Sequence, residues 1–312
     1  MHNARAITLT GQYIIISVGK YVDEKLNSMF NTKFNWNIYS DTDSCYLSLK
    51  PIVDRFLKID DKSKITAALS KICKEKIDPI INQCCAELQK YTNVYRDCIS
   101  FKLEAISSNG FWTGKKRYAL NVYENEGVVY SKPKLKVMGI EVVKSSTPKL
   151  VREKLKNSIE LILNEGEESV QKHIELVKQE FKTFSVEEIA FPRSVNGIEK
   201  YSDSKSLYSL GCPIHTKGSI LYNHKLKELH LTNKYQKIGE GDSIKFCYLK
   251  TPNPLKESVI AFPSELPDEF GLHSYVDYDK QYEKTFLDPL QNILDAIGWS
   301  SEKTFSIDDF FG

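Results

Sequence analysis

Long apolar runs are missing from this 312-residue sequence. The best candidate, Tyr13 to Val18, falls far short of the roughly 20 residues a membrane span needs, and Lys20, Asp23 and Glu24 follow it at once. A membrane helix is therefore not expected. The amino terminus also lacks the basic, apolar and small-residue regions of a signal peptide, which points to the cytoplasm. The seven cysteines include no Cys-x-x-Cys and no Cys/His array. Cys84 and Cys85 are adjacent, a spacing that suits neither a bridge nor zinc, so the cysteines read as reduced core thiols. The six histidines contain no i, i+4 pair, and a zinc site built on them is disfavoured. Internal repeats and low-complexity tracts are absent as well.

What is present is the composition of a globular protein, 41% hydrophobic and 27% charged. The length allows a sizeable core and two domains. A net charge of +2 conceals an asymmetry: residues 1–160 carry 26 Lys+Arg against 17 Asp+Glu, and residues 161–312 carry 17 against 24, giving +9 and −7. The densest basic stretch is Lys115 to Lys156. A basic band of this kind suits a polyanion, because neutralised phosphates release counterions.

Apolar periodicity predicts one helix over residues 4–29, through Ile7, Tyr13, Ile14, Val18, Val22 and Leu26. β-forming runs at Trp36 to Tyr39 and Ser44 to Leu49 predict a hairpin with Asp41-Thr42-Asp43 at its tip. Residues 63–93 read as helix, kinked or divided by Pro79. Strands are expected at Phe101 to Ile106, Arg117 to Val122 and Val128 to Tyr130, with a turn at Glu124 to Gly127. Residues 34–139 should therefore form a mainly antiparallel sheet backed by helices. Near Ser145-Ser146-Thr147-Pro148 the character changes: Thr147 can cap a helix that Pro148 begins, and Gly166 ends it before a second helix, Glu167 to Phe184. Beyond Ser185 the short runs between prolines and glycines predict an irregular α+β region.

The Asp41/Asp43 spacing carries the sharpest chemistry. Carboxylates two apart share a strand face or crowd one turn, and a cation must offset their repulsion. Hard divalent ions choose such oxygen ligands, and carboxylate-held metals are the usual machinery for in-line attack on phosphate. A plain Asx-type turn is the competing reading. A calcium loop fails, since Tyr46 stands where Gly is wanted and Ile52 where Glu is wanted.

Tyr39-Ser40-Asp41-Thr42-Asp43-Ser44 resembles the carboxylate motif of the family B DNA polymerases, and further motifs follow in family order. Gly110-Phe111-Trp112-Thr113-Gly114-Lys115-Lys116-Arg117-Tyr118-Ala119-Leu120 looks like the Lys-Lys-Arg-Tyr element that grips primer duplex. Lys136-Val137-Met138-Gly139-Ile140-Glu141 and Lys144-Ser145-Ser146-Thr147-Pro148 look like the palm-to-thumb junction. Ala6-Ile7-Thr8 with Gly11-Gln12 is similar to the helix returning from the fingers. Cys212-Pro213-Ile214-His215, Gly218, Leu221-Tyr222-Asn223 and Ala261-Phe262-Pro263-Ser264 resemble the thumb of replicative polymerases from large tailed bacteriophages. The fold implied is α+β: an antiparallel palm sheet backed by helices over 1–143, a mainly helical thumb with an irregular α+β tip over 144–303, and a tail over 304–312.

The resemblance also implies roles. Asp43 becomes the ligand of two catalytic Mg²⁺ ions, Asp41 a tuning neighbour, and Glu104, on the strand before the Lys-Lys-Arg-Tyr element, a third nearby carboxylate; an exposed strand Glu explains Glu104 equally well. Lys115, Lys116, Arg117 and Tyr118 would hold duplex, as would Lys144, Ser145, Ser146 and Thr147 beside a helix amino terminus. Ile307, Phe310 and Phe311 resemble the tail peptide that binds a sliding clamp. Primer-template DNA and dNTPs are the implied partners, and the host cytoplasm the implied location of a phage enzyme. The family's upstream carboxylate motif, nucleotide-binding fingers helix and exonuclease have no counterpart here. Met1 opening the frame reads as a naturally split polymerase whose amino-terminal polypeptide is separate, although a fragment or truncated gene reads the same. The alternative function is a non-catalytic DNA-binding and clamp-tethering module.

Overall fold

A computed structural model of the chain describes residues 2–59 and 61–303. The clamp-binding reading of Ile307, Phe310 and Phe311 lies outside the described residues. The chain divides into two compact units, Met1–Lys136 and Val137–Gly312. Mixed helix and small antiparallel sheets make the fold α+β, as expected.

The first unit begins with α1 (His2–Phe30). Its second half carries the apolar face: Val18, Val22 and Leu26 are buried and pack with Trp36, with Ile52 of α2 (Lys50–Phe56) and with Ile80, Cys84 and Leu88 of α4 (Asp78–Tyr91). The first half differs from the expected stripe, because Ile7, Leu9, Tyr13 and Ile16 are exposed. The chain then returns as a hairpin of β1 (Asn37–Asp41) and β2 (Ser44–Leu47). Asn27 organises that return: its Oδ1 accepts from Thr32 Oγ1 at 2.7 Å, Phe34 N at 2.8 Å and Trp36 Nε1 at 3.0 Å. Asp23 accepts from Asn37 N at 2.9 Å, so α1 fixes where β1 starts. Gly19 is part of the same fit, since a Cβ there would stand 2.3 Å from Asn37 Nδ2.

Pro79 divides the helical stretch in a particular way. α3 (Lys62–Ile72) ends in a π turn, Cys73–Ile77, and α4 follows with Pro79 in its first turn. The wider i→i+5 turn re-spaces the backbone where proline has no N–H to give. The second sheet has the order β3-β4-β5, from β3 (Ala105–Gly114), β4 (Arg117–Asn125) and β5 (Val128–Met138). Two separate sheets thus replace the single sheet expected over 34–139. Phe101 to Glu104 precede β3, because pairing starts at Ala105 opposite Asn125.

In the second unit, α5 (Lys149–Asn164) and α6 (Glu167–Phe181) pack against each other. Thr147 is buried and caps nothing: Pro148 occupies the N-cap position, where no side-chain bond reaches the helix. After α7 (Val186–Ile189), β6 (Phe191–Ser194), α8 (Ile198–Tyr201), β7 (Ser202–Asp203) and β8 (Leu207–Tyr208), the chain forms α9 (Ile214–Glu228). β9 (Ser243–Tyr248) and β10 (Val259–Phe262) join β6 in an antiparallel sheet of order β10-β9-β6. All four residues of β10 are buried under α9. α10 (Tyr278–Tyr282), a second π turn and α11 (Asp288–Ile297), with Pro289 in its first turn, complete the fold. All seven cysteines are free.

Candidate active site

The acidic pair sits on a two-residue hairpin loop, with Asp41 opposite Ser44. Asp43 N donates to Asp41 O at 2.6 Å, and Thr42 between them has φ 55°. A three-residue turn with its centre at positive φ is a γ-turn of the rare, strained kind, and a β-branched centre makes it an outlier. Strain of this sort costs on the order of 1–3 kcal/mol and collects at functional sites. Ser44 Oγ adds a bond to Asp41 O at 3.1 Å.

The two carboxylates have different surroundings. Asp41 is half-buried; its Oδ1 accepts from Thr42 Oγ1 at 2.9 Å and lies 3.9 Å from Lys116 Nζ. Asp43 is exposed, and its carboxylate bonds to nothing else among the described residues. Its oxygens are therefore open to a cation, whereas those of Asp41 are already held.

A second hairpin tip meets the first. Lys115 and Lys116, read from the sequence as part of a charged run, form the two-residue turn between β3 and β4, with Gly114 opposite Arg117 and Lys116 at φ 59°. Lys116 N donates to Tyr39 Oη at 2.9 Å. Behind the two tips, Tyr39, Tyr46, Trp112 and Tyr118 make five ring contacts with centroids 5.4–6.3 Å apart. Such contacts add about 0.5–1.5 kcal/mol each beyond the area they bury. Tyr46 Oη donates to Tyr118 Oη at 2.9 Å. Burial, this bond and the nearby Glu104 charge all push the Tyr46 hydroxyl pKa upward, so it stays protonated. Sequence reasoning assigned Tyr118 to nucleic acid and missed its packing role; the pattern Tyr-x-Asp-x-Asp-x-x-Tyr already placed Tyr39 and Tyr46 on one hairpin.

Glu104 stands just ahead of β3 and is exposed, paired with Lys136 at 2.5 Å. The described residues contain no group of three or more His, Cys, Asp or Glu placed to hold a metal ion. In the second unit, Lys144 pairs with Glu141 at 2.8 Å, and Ser146 O accepts from Arg193 Nη1 at 2.6 Å. Ser145 is exposed and Thr147 buried.

If the Tyr39 bond couples the tips, Tyr39→Phe should destabilise the first unit by about 1 kcal/mol, the worth of one hydrogen bond, read as a lower unfolding midpoint in denaturant. An unchanged midpoint would mean the tips are set by ring packing alone.

The motifs on these two hairpins are those of a known family. The family model for DNA polymerase family B matches residues 1–297, and the chain belongs to that family. The chain is 33% identical to the DNA-directed DNA polymerase of Enterobacteria phage T4 over 327 aligned residues, which cover all of this chain and 36% of the relative. It is 36% identical to the DNA-directed DNA polymerase of Escherichia phage RB69, with the same coverage. The chain thus spans about a third of the length of these relatives.

Proposed function

We propose that this chain supplies one side of a template-directed DNA polymerase site, which extends a primer 3′ end with dNTPs. The observation that carries the reading is Asp43: an exposed carboxylate without a partner among the described residues, on a strained loop, braced against a basic turn in a member of this family. Residues 1–143 serve as part of the palm, 144–303 as the thumb, and 304–312 as a clamp-binding tail. Asp43, with Asp41 beside it, offers the hard oxygen donors that Mg²⁺ selects, so these residues fit the metal. When bound, two such ions supply activation of the primer 3′-hydroxyl and charge neutralisation on the triphosphate.

The chain's own residues do the rest. Lys116 and the γ-turn hold Asp41 back, which leaves Asp43 as the forward ligand. Lys115, Lys116 and Arg117 meet duplex phosphates without demanding a sequence, and Lys144 with the 145–147 loop does the same from the thumb. Glu104, neutralised by Lys136, serves at a distance. The further carboxylate that a two-metal site needs comes from outside these 312 residues, on a separate polypeptide or on a longer form of this chain. The exposed Ile7, Leu9, Tyr13 and Ile16 are consistent with that partner, because such a surface is normally covered.

Primer extension with Mg²⁺ tests the proposal, using this chain alone, the remaining two thirds of the family's length alone, and the mixture. Synthesis is expected only in the mixture. An inactive mixture in which this chain still binds primed duplex would favour the second reading, a DNA-binding and clamp-tethering module.

A further inference from the structure

Several lysines of the second unit are paired with carboxylates. Lys154 pairs with Glu180 at 2.5 Å, Lys217 with Glu257 at 2.7 Å and Lys144 with Glu141 at 2.8 Å. Arg193, half-buried on β6, is held differently. Its Nη1 donates to two main-chain carbonyls, Ser146 O at 2.6 Å and Pro192 O at 2.9 Å, and its guanidinium carbon lies 5.5 Å from the Phe191 ring centre. Among the described residues it has no carboxylate partner. Its neighbour His215 adds no second positive charge, since burial and then the Arg193 charge depress the imidazole pKa.

A half-buried guanidinium without a counter-charge is costly, and three of its five N–H donors remain unused. The fork matches phosphate oxygens in a bidentate way that lysine cannot copy. Its position is equally specific: the carbonyl it holds belongs to the Lys144-Ser145-Ser146-Thr147 loop.

We propose that Arg193 contacts a backbone phosphate of the primer-template duplex, while its Nη1 fixes the 144–147 loop that grips the same strand. The inference rests on the polymerase reading and adds a contact that the sequence motifs did not reveal. One residue then does two things: it orders the loop before DNA arrives and gains its counter-charge when DNA binds.

Equilibrium binding of the full chain to primed duplex, over about 50–200 mM salt, tests it, because each phosphate contact contributes roughly one unit to the salt slope. Arg193→Met should weaken binding about tenfold and reduce the slope by about one. Arg193→Lys should keep the slope, since the charge remains, and recover only part of the affinity. Wild-type affinity and slope in Arg193→Met would overturn the proposal. Weaker binding with an unchanged slope would also overturn it, by assigning Arg193 to loop support alone. Should Arg193→Met fail to fold, Arg193→Gln decides, because it keeps hydrogen-bond donors without the charge: an unchanged slope overturns the contact. Failure of the wild-type chain to bind primed duplex would remove the polymerase reading and this inference together.

Discussion

Asp43→Asn should reduce nucleotide incorporation by about a thousandfold in a polymerase reconstituted with the rest of the family's length. The substitution keeps the size of the side chain and removes only its charge. Asp43 is exposed and its carboxylate is bonded to nothing among the described residues, so the fold loses no contact and stability should move by less than about 0.5 kcal/mol. On the proposed reading what disappears is a hard anionic ligand, and several kcal/mol of transition-state stabilisation at a metal site corresponds to about three decades in rate. Duplex affinity should stay within about twofold, because the proposed metal ligation and phosphate grip use different residues. Asp41→Asn should cost less, about tenfold, since Thr42 and Lys116 already occupy that carboxylate. Single-turnover incorporation measures both variants. Activity that survives Asp43→Asn would remove Asp43 from the metal site.

Gly218→Ala should destabilise the second unit by about 3 kcal/mol, with no charge altered. A Cβ at position 218 would stand 2.9 Å from Ala261 N and 3.1 Å from Ile260 C, both backbone atoms of β10. Neither can turn aside as a side chain would, so α9 must lift from the strand. Overpacking of a tight interface costs typically 1–3 kcal/mol, and here the four buried residues of β10 lose contact together. For a unit of this size that means a melting point lower by roughly 6–12 °C in calorimetry. An unchanged transition would show that the helix can slide at little cost. Gly11 makes the control: nothing lies within 4 Å of a Cβ there, and alanine in a helix is preferred over glycine.

The parts of this fold that follow from short-range pattern were legible in the sequence. The α1 helix, the acidic hairpin and the helices α5 and α6 announce themselves by period and by turn residues. The acidic pair was legible as a hairpin tip, and its chemistry only through the family resemblance. Contacts between distant segments were not. Nothing local says that Gly19 makes room for Asn37, that Glu104 pairs with Lys136, or that Arg193 reaches back to Ser146. Pro79 signalled a break, yet not that a π turn would absorb it. The strand expected from Arg117 left Lys115 and Lys116 without an element; the two-residue turn is set by pairing of β3 with β4, which only the assembled sheet reveals. Thr147 has the side chain of a cap and is buried instead.

The joined hairpin tips also limit how this sequence can vary in length. Surface turns are ordinarily where chains accept insertions. Here each tip is a two-residue loop, and the amide of Lys116 in one is bonded to the Tyr39 hydroxyl of the other. One residue added to either loop would change both the reach of that amide and the depth of Asp41. These two bends of the first unit therefore have no slack, and length changes should be found elsewhere, in stretches such as residues 92–97 that belong to no helix or strand.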